Sequence, residues 1–137
     1  MLVVDDEDPI RFICRVNLRD AGLHILEAAD GETGLTLARS ERPDIILLDI
    51  MLPGMDGWRV AEELAADSTT AEIPIMFLSA RSEQADQVRA YEAGGIAYVL
   101  KPFDPIVLGE TVSTALKRVA RGERETLREE WLASIGA

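Results

Sequence analysis

Asp44-Ile45-Ile46-Leu47-Leu48-Asp49 is a short, almost wholly apolar run that ends in a carboxylate, and Leu52-Pro53-Gly54-Met55-Asp56-Gly57 turns the chain directly after it. An uninterrupted apolar run of this length, bounded by Pro and Gly, is the pattern of a strand buried on both faces of a sheet. A carboxylate at its C-terminal end stands where open parallel sheets bind their ligands. The pattern recurs. Leu2-Val3-Val4 leads into Asp5-Asp6-Glu7, Ile75-Met76-Phe77-Leu78 into Ser79-Ala80, and Tyr98-Val99-Leu100 into Lys101-Pro102. In a parallel sheet such ends converge, so acids, a hydroxyl and an amine share one edge.

Helix signals fill the gaps between these runs. Asp8 with Pro9 behind it reads as a cap and first-turn proline, and Ile10, Ile13, Cys14 and Leu18 then share one helical face. Gly22 ends that helix, and His24-Ile25-Leu26-Glu27-Ala28 reads as a second strand. Asp30 caps the next helix, which carries Leu35, Leu37 and Ala38 and leads to Arg42-Pro43. Trp58 to Ala66 is helical, Asp67 to Glu72 is a polar loop, and Ser82 starts a helix that runs to Ala93 and stops at Gly94-Gly95. Asp104-Pro105 repeats the cap-and-proline signal for a helix through about Arg121. Alternating strands and helices with right-handed crossovers predict an α/β fold, a doubly wound five-stranded parallel sheet covered on both faces.

The 137 residues suit one ordinary domain, at 47% hydrophobic and 28% charged. A formal net charge of −11 argues against nucleic-acid binding by this chain, because a phosphate footprint needs a basic face. A single cysteine, Cys14, permits no internal disulfide and suits a reducing compartment. The apolar start meets Asp5 too early for a signal-peptide core, and no run approaches the roughly 20 residues of a membrane span. A cytoplasmic location is the expectation. Cys14 and His24 have no metal-ligand companions at useful spacing, and Trp58 and Trp131 read as packing residues. Glu123 to Ala137 places Leu127, Trp131 and Ile135 on one helical face. The expected division is therefore a domain over residues 1–121 and an amphipathic helical extension over 122–137.

The set Asp5-Asp6, Asp49, Ser79-Ala80 and Lys101-Pro102, in this order and spacing over residues 1–121, resembles the receiver domain of two-component response regulators. The resemblance implies strand order 2-1-3-4-5. It implies that Asp49 is the phosphoacceptor, receiving a phosphoryl group from a histidine kinase or phosphotransfer protein. Three clustered carboxylates repel one another unless a cation neutralises them, and all-oxygen ligation suits Mg²⁺. By resemblance Asp6, Asp49 and the backbone carbonyl of Met51 hold the metal, with Asp5 acting through water. Lys101 and Ser79 then neutralise and orient the phosphoryl oxygens. Ala80 leaves room for the group, and Met51 and Arg81 flank the route of a hydrolytic water. Ser79 and Tyr98 form the implied switch, with the Tyr98 ring turning inward as the hydroxyl moves; a half-buried sheet aromatic is the structural alternative for Tyr98. Such a chain is a signalling phosphoacceptor that assists its own phosphotransfer and dephosphorylation, not an enzyme in the ordinary sense. Its output runs through the fourth helix, fifth strand and fifth helix to a downstream protein or effector domain.

Three departures and three rivals qualify this reading. The first strand starts almost at Met1, so its N-terminal end is expected to be poorly paired. Gly95-Ile96-Ala97 lacks the acid that supports a symmetric dimer in the winged-helix branch, which leaves homodimerisation open and Ile96 as an expected exposed apolar contact. No effector sequence follows residue 121, so the chain reads as a stand-alone receiver or, alternatively, as a receiver cut from a longer DNA-binding or enzymatic regulator with the tail as linker helix. A haloacid-dehalogenase-type hydrolase needs an acid two residues beyond the nucleophile, where Met51 stands. A binding module without phosphorylation leaves the acid, hydroxyl and lysine set without a purpose.

Overall fold

The computed structural model describes residues 1–136; Ala137, the last residue of the expected extension, lies outside them. Eleven elements follow in order: β1 (Leu2–Val4), α1 (Asp8–Asp20), β2 (Leu26–Ala28), α2 (Gly31–Glu41), β3 (Ile46–Asp49), α3 (Gly57–Ala66), β4 (Ile75–Ser79), α4 (Gln84–Glu92), β5 (Ala97–Leu100), α5 (Pro105–Ala120) and α6 (Arg124–Ser134). The strands form one parallel sheet in the order β2-β1-β3-β4-β5, as expected.

Period-two alternation along the strands divides the core into two layers. Leu2, Val4, Ile46, Leu48 and Phe77 face Leu35 and Ala38 of α2, Trp58, Val60, Ala61 and Leu64 of α3, and Ala90 of α4. Val3, Leu47, Met76 and Leu78 face Cys14 and Leu18 of α1 and Leu108, Val112 and Ala115 of α5. Both faces of β1, β3 and β4 are therefore buried, which is why their sequences are continuously apolar.

Side-chain caps fix three helix starts. Asp30, Asp56 and Asp104 accept from the amides of Thr33, Arg59 and Ile106 at 2.8, 2.9 and 2.9 Å. Two expected starts differ. Asp8 is the first residue of α1, and the capping position falls to Glu7, whose side chain makes no cap because it reaches elsewhere. Helix α4 begins at Gln84 instead of Ser82, because Arg81 is held by contacts on both its amide and its carbonyl before the helix can start. Strand β2 is shorter than the expected 24–28, since β1 offers only Leu2 to Val4 for pairing.

The N-terminal end of β1 is nonetheless well tied. The Met1 ammonium donates to the His24 carbonyl at 2.9 Å, the Met1 carbonyl accepts from Leu26 at 2.8 Å, and the Leu2 amide donates to Ile45 at 3.0 Å. A further correction concerns Ile96. It is fully buried in the layer with Met76, Leu78 and Val112, not exposed, because the backbone bond from Ile96 to the Ile75 carbonyl at 2.8 Å draws it into line with the sheet.

The extension is helical and packs on its own domain. Gly122, at φ +78, lets the chain reverse between α5 and α6. Leu127 then touches one core layer and Trp131 the other, so α6 lies around the edge of β5. A helix over an edge strand also protects its unpaired backbone groups.

Candidate functional site

The order reverses between β1 and β3, where the chain leaves β1 toward one side and β3 toward the other. Such a point is where doubly wound sheets open a crevice at their C-terminal edge. Asp5 follows β1 and Asp49 ends β3, and both are buried, at 0% and 2% exposure. Carboxylate oxygens of Asp5, Asp6, Glu7 and Asp49 all lie within 4.8 Å of one another. Lys101, after β5, reaches into this group. Its Nζ is 2.9 Å from Asp5 Oδ2, 2.9 Å from Glu7 Oε2 and 3.0 Å from Asp49 Oδ2. One ammonium thus contacts three of the four clustered carboxylates, and the site is short of positive charge.

Local structure holds each group in place. The Lys101 amide donates to the Ser79 carbonyl at 2.8 Å, and Lys101-Pro102 is a cis peptide. Asp49 Oδ1 accepts from the Met51 amide at 3.0 Å, and Asp5 Oδ1 accepts from the Glu7 amide at 2.8 Å. Gly57 allows the turn after β3 to fold against the strand end: a Cβ there would stand 2.3 Å from the Asp49 carbonyl oxygen. Gly54, in the same turn, takes φ +72.

The electrostatics follow from burial. Asp49 is pushed up to about 6, by desolvation first and the Asp5 charge second, against the Lys101 hydrogen bond and the Met51 amide, which pull it down. Burial works against the Lys101 charge, but hydrogen bonds to Glu7 and Asp49, with the Asp5 carboxylate in close ion-pair contact, outweigh it and hold its pKa above the ordinary value. Asp5 Oδ2 is buried and, although close to Lys101 Nζ, lacks hydrogen-bond geometry to any group among the described residues. A desolvated oxygen with no hydrogen bond, in a cluster with excess negative charge, suits a hard divalent cation held by oxygens. Burial pushes the Cys14 thiol up to about 12, so it stays a neutral packing group, in line with its expected structural role.

Ser79 is buried at the end of β4, and its Oγ accepts from the Arg81 amide at 3.0 Å. The half-buried Tyr98 donates its hydroxyl to the Arg81 carbonyl at 2.7 Å. Both residues of the expected switch therefore meet on the backbone of Arg81. Met51 is 61% exposed beside the cluster. The fold brings together Asp5, Asp6, Asp49, Ser79 and Lys101 at one edge, with Tyr98 reaching that edge through its bond to the Arg81 carbonyl. Sequence reasoning left Glu7 without a role, though three successive acids were a signal that a third side chain could turn toward the crevice.

The family model described as the response regulator receiver domain matches residues 1–113. The transcriptional regulatory protein AfsQ1 of Streptomyces coelicolor is 40% identical over 126 residues, covering 92% of this chain and 53% of that protein. The phosphate regulon transcriptional regulatory protein PhoB of Pseudomonas aeruginosa is 38% identical over 125 residues, covering 91% of this chain and 55% of that protein. The solved structure of the chemotaxis response regulator CheY4 of Vibrio cholerae has a TM-score of 0.78 at 30% identity, over 82% of this chain and 94% of that one. The chain spans about half the length of the curated relatives it matches.

Proposed function

The chain belongs to the response regulator receiver family, and on that footing we propose that Asp49 is its phosphoacceptor, taking a phosphoryl group from a histidine kinase or phosphotransfer protein. The carrying observation is the buried Asp49 carboxylate at the crevice, with the Lys101 ammonium at 3.0 Å. A carboxylate oxygen of Asp49 attacks phosphorus, the P–O bond forms as the P–N bond to the donor imidazole breaks, and the imidazole leaves with the bonding pair. Lys101 pairs with the transferred oxygens in place of the carboxylates it now holds, and Ser79 turns its hydroxyl toward another oxygen. Asp6, Asp49 and the Met51 carbonyl would hold Mg²⁺, with Asp5 contributing through water. Bound there, the ion supplies charge neutralisation for the acceptor and the phosphoryl oxygens.

Ser79 and Tyr98 then act as a two-state element. Drawing the Ser79 hydroxyl toward the phosphoryl group vacates the space into which the Tyr98 ring turns. The output passes to a protein partner or effector domain by way of α4, β5 and α5. No described helix is long and apolar enough to cross a membrane, and the proposed setting is cytoplasmic. The length comparison favours a second reading of the output: residues 1–121 as the receiver of a longer regulator, with 122–137 as its linker.

Mg²⁺ titration tests the ligand set. Asp6→Ala should weaken Mg²⁺ binding more than Asp5→Ala, because Asp5 already spends Oδ1 on the Glu7 amide and lies beside Lys101. A larger loss in Asp5→Ala would exchange the two roles.

A further inference from the structure

Helix α6 lies over the same α4, β5 and α5 elements that the proposed output uses. Arg128 donates to the carbonyls of Gly95 at 3.0 Å and Tyr91 at 2.6 Å, and its guanidinium stacks over the Tyr91 ring at 4.3 Å. Trp131 meets Tyr91 edge-on at 5.9 Å. Leu127 lines a groove of about 330 Å³ with Ala97 of β5 and Thr111 and Ala115 of α5. The Gln84 side-chain amide donates to the Ile135 carbonyl at 2.9 Å.

Three features make this contact detachable. No residue of α6 is fully buried, so little apolar area holds it down. Its covalent tie to the domain is the Gly122 reversal. The Trp131 indole N–H is buried with no acceptor among the described residues, a desolvation cost that release into water removes. A further feature links it to the site. Gln84 stands three residues past Arg81, whose amide and carbonyl are held by Ser79 and Tyr98. If Ser79 turns to a phosphoryl oxygen and Tyr98 follows, both restraints on Arg81 are released, and the position from which Gln84 and Tyr91 grip α6 shifts with them.

We propose that α6 is an intramolecular ligand of the α4–β5–α5 face, displaced by phosphorylation of the Asp49 site, so that a partner gains this face only in the phosphorylated state. The proposal rests on Asp49 being the phosphoacceptor. Because linkage is reciprocal, a released α6 must in turn favour phosphorylation.

Hydrogen exchange of the full chain, with and without Mg²⁺ and acetyl phosphate, tests it. Amides of residues 124–135 should exchange about tenfold faster in the phosphorylated chain, a factor ordinary for coupled sites. The double variant Arg128→Ala with Trp131→Ala should show that fast exchange without any phosphodonor and should label faster at limiting acetyl phosphate. A chain whose mass shows the phosphoryl group while α6 exchange stays unchanged overturns the linkage and leaves the phosphoacceptor reading intact. Absence of a mass gain overturns that reading and the linkage with it. Unchanged α6 exchange in the double variant overturns the docking contacts as its anchor.

Discussion

Lys101 and Arg118 each sit among carboxylates, and the two clusters are built in opposite ways. The Lys101 side chain is 15% exposed, and its partners Asp5 and Asp49 are 0% and 3% exposed. Arg118 of α5 is about as covered, at 19%, but its partners Glu123 and Glu130 are 37% and 58% exposed. The burial of the anions makes the difference. Around Lys101 the carboxylates cannot recover hydration if the cation goes, whereas those around Arg118 return to water. One cluster is a charged crevice held under tension by the fold; the other is a surface latch between α5 and α6.

Removing each cation should break the comparison open. Lys101→Ala leaves two buried carboxylates unpaired, and urea unfolding at neutral pH without Mg²⁺ should show a loss of roughly 3 kcal/mol. Mg²⁺ should restore part of it, and so should acid, since Asp49 then takes up a proton. A Lys101→Ala chain as stable as the parent under metal-free conditions would mean that the crevice is hydrated and the pairing of little weight.

Asp49→Asn sharpens the same point through pH. The folded Asp49 pKa stands raised from 3.8 to about 6, by burial and then by Asp5 against the pull of Lys101. A raised carboxyl pKa means the folded chain binds that proton more tightly than the unfolded chain, so the contribution favours folding at low pH and is lost as pH rises from about 4 through about 6. In metal-free buffer the parent's melting temperature should therefore fall relative to Asp49→Asn across that window, and the Asn variant should be the more stable above it. Parallel profiles would place Asp49 in a solvated site.

Arg118→Ala should have the smallest effect. Its partners are exposed, so the melting temperature should change little, and added salt should erase the difference. A large, salt-independent loss would make the α5–α6 latch a structural element and α6 an integral part of the domain.

The fold was legible because three strands buried on both faces write themselves as continuous apolar runs, and because Asp30 and Asp104 announce helix starts; the Asp56 cap was hidden inside a turn. Asp5, Asp49, Ser79 and Lys101 were legible because each stands directly after such a run. What escaped depended on tertiary contacts. Ile96 looked exposed from its neighbours in sequence, but its place is decided by the bond to Ile75 across the sheet. Glu7 was hidden because a carboxylate at a helix start ordinarily caps, and only the approach of Lys101 from a distant strand turns it away. The covering of β5 by α6 could not be read either. The Leu127, Trp131 and Ile135 stripe shows that a helix has an apolar side, but which surface receives it is settled by the Tyr91 and Gly95 carbonyls that accept from Arg128.

The most direct measurement of the central claim is the intact mass of the chain after incubation with acetyl phosphate and Mg²⁺. The parent should gain the mass of one phosphoryl group, lose the gain when Mg²⁺ is chelated beforehand, and show none in Asp49→Asn. Equal labelling of parent and Asp49→Asn would contradict the assignment of the phosphoacceptor.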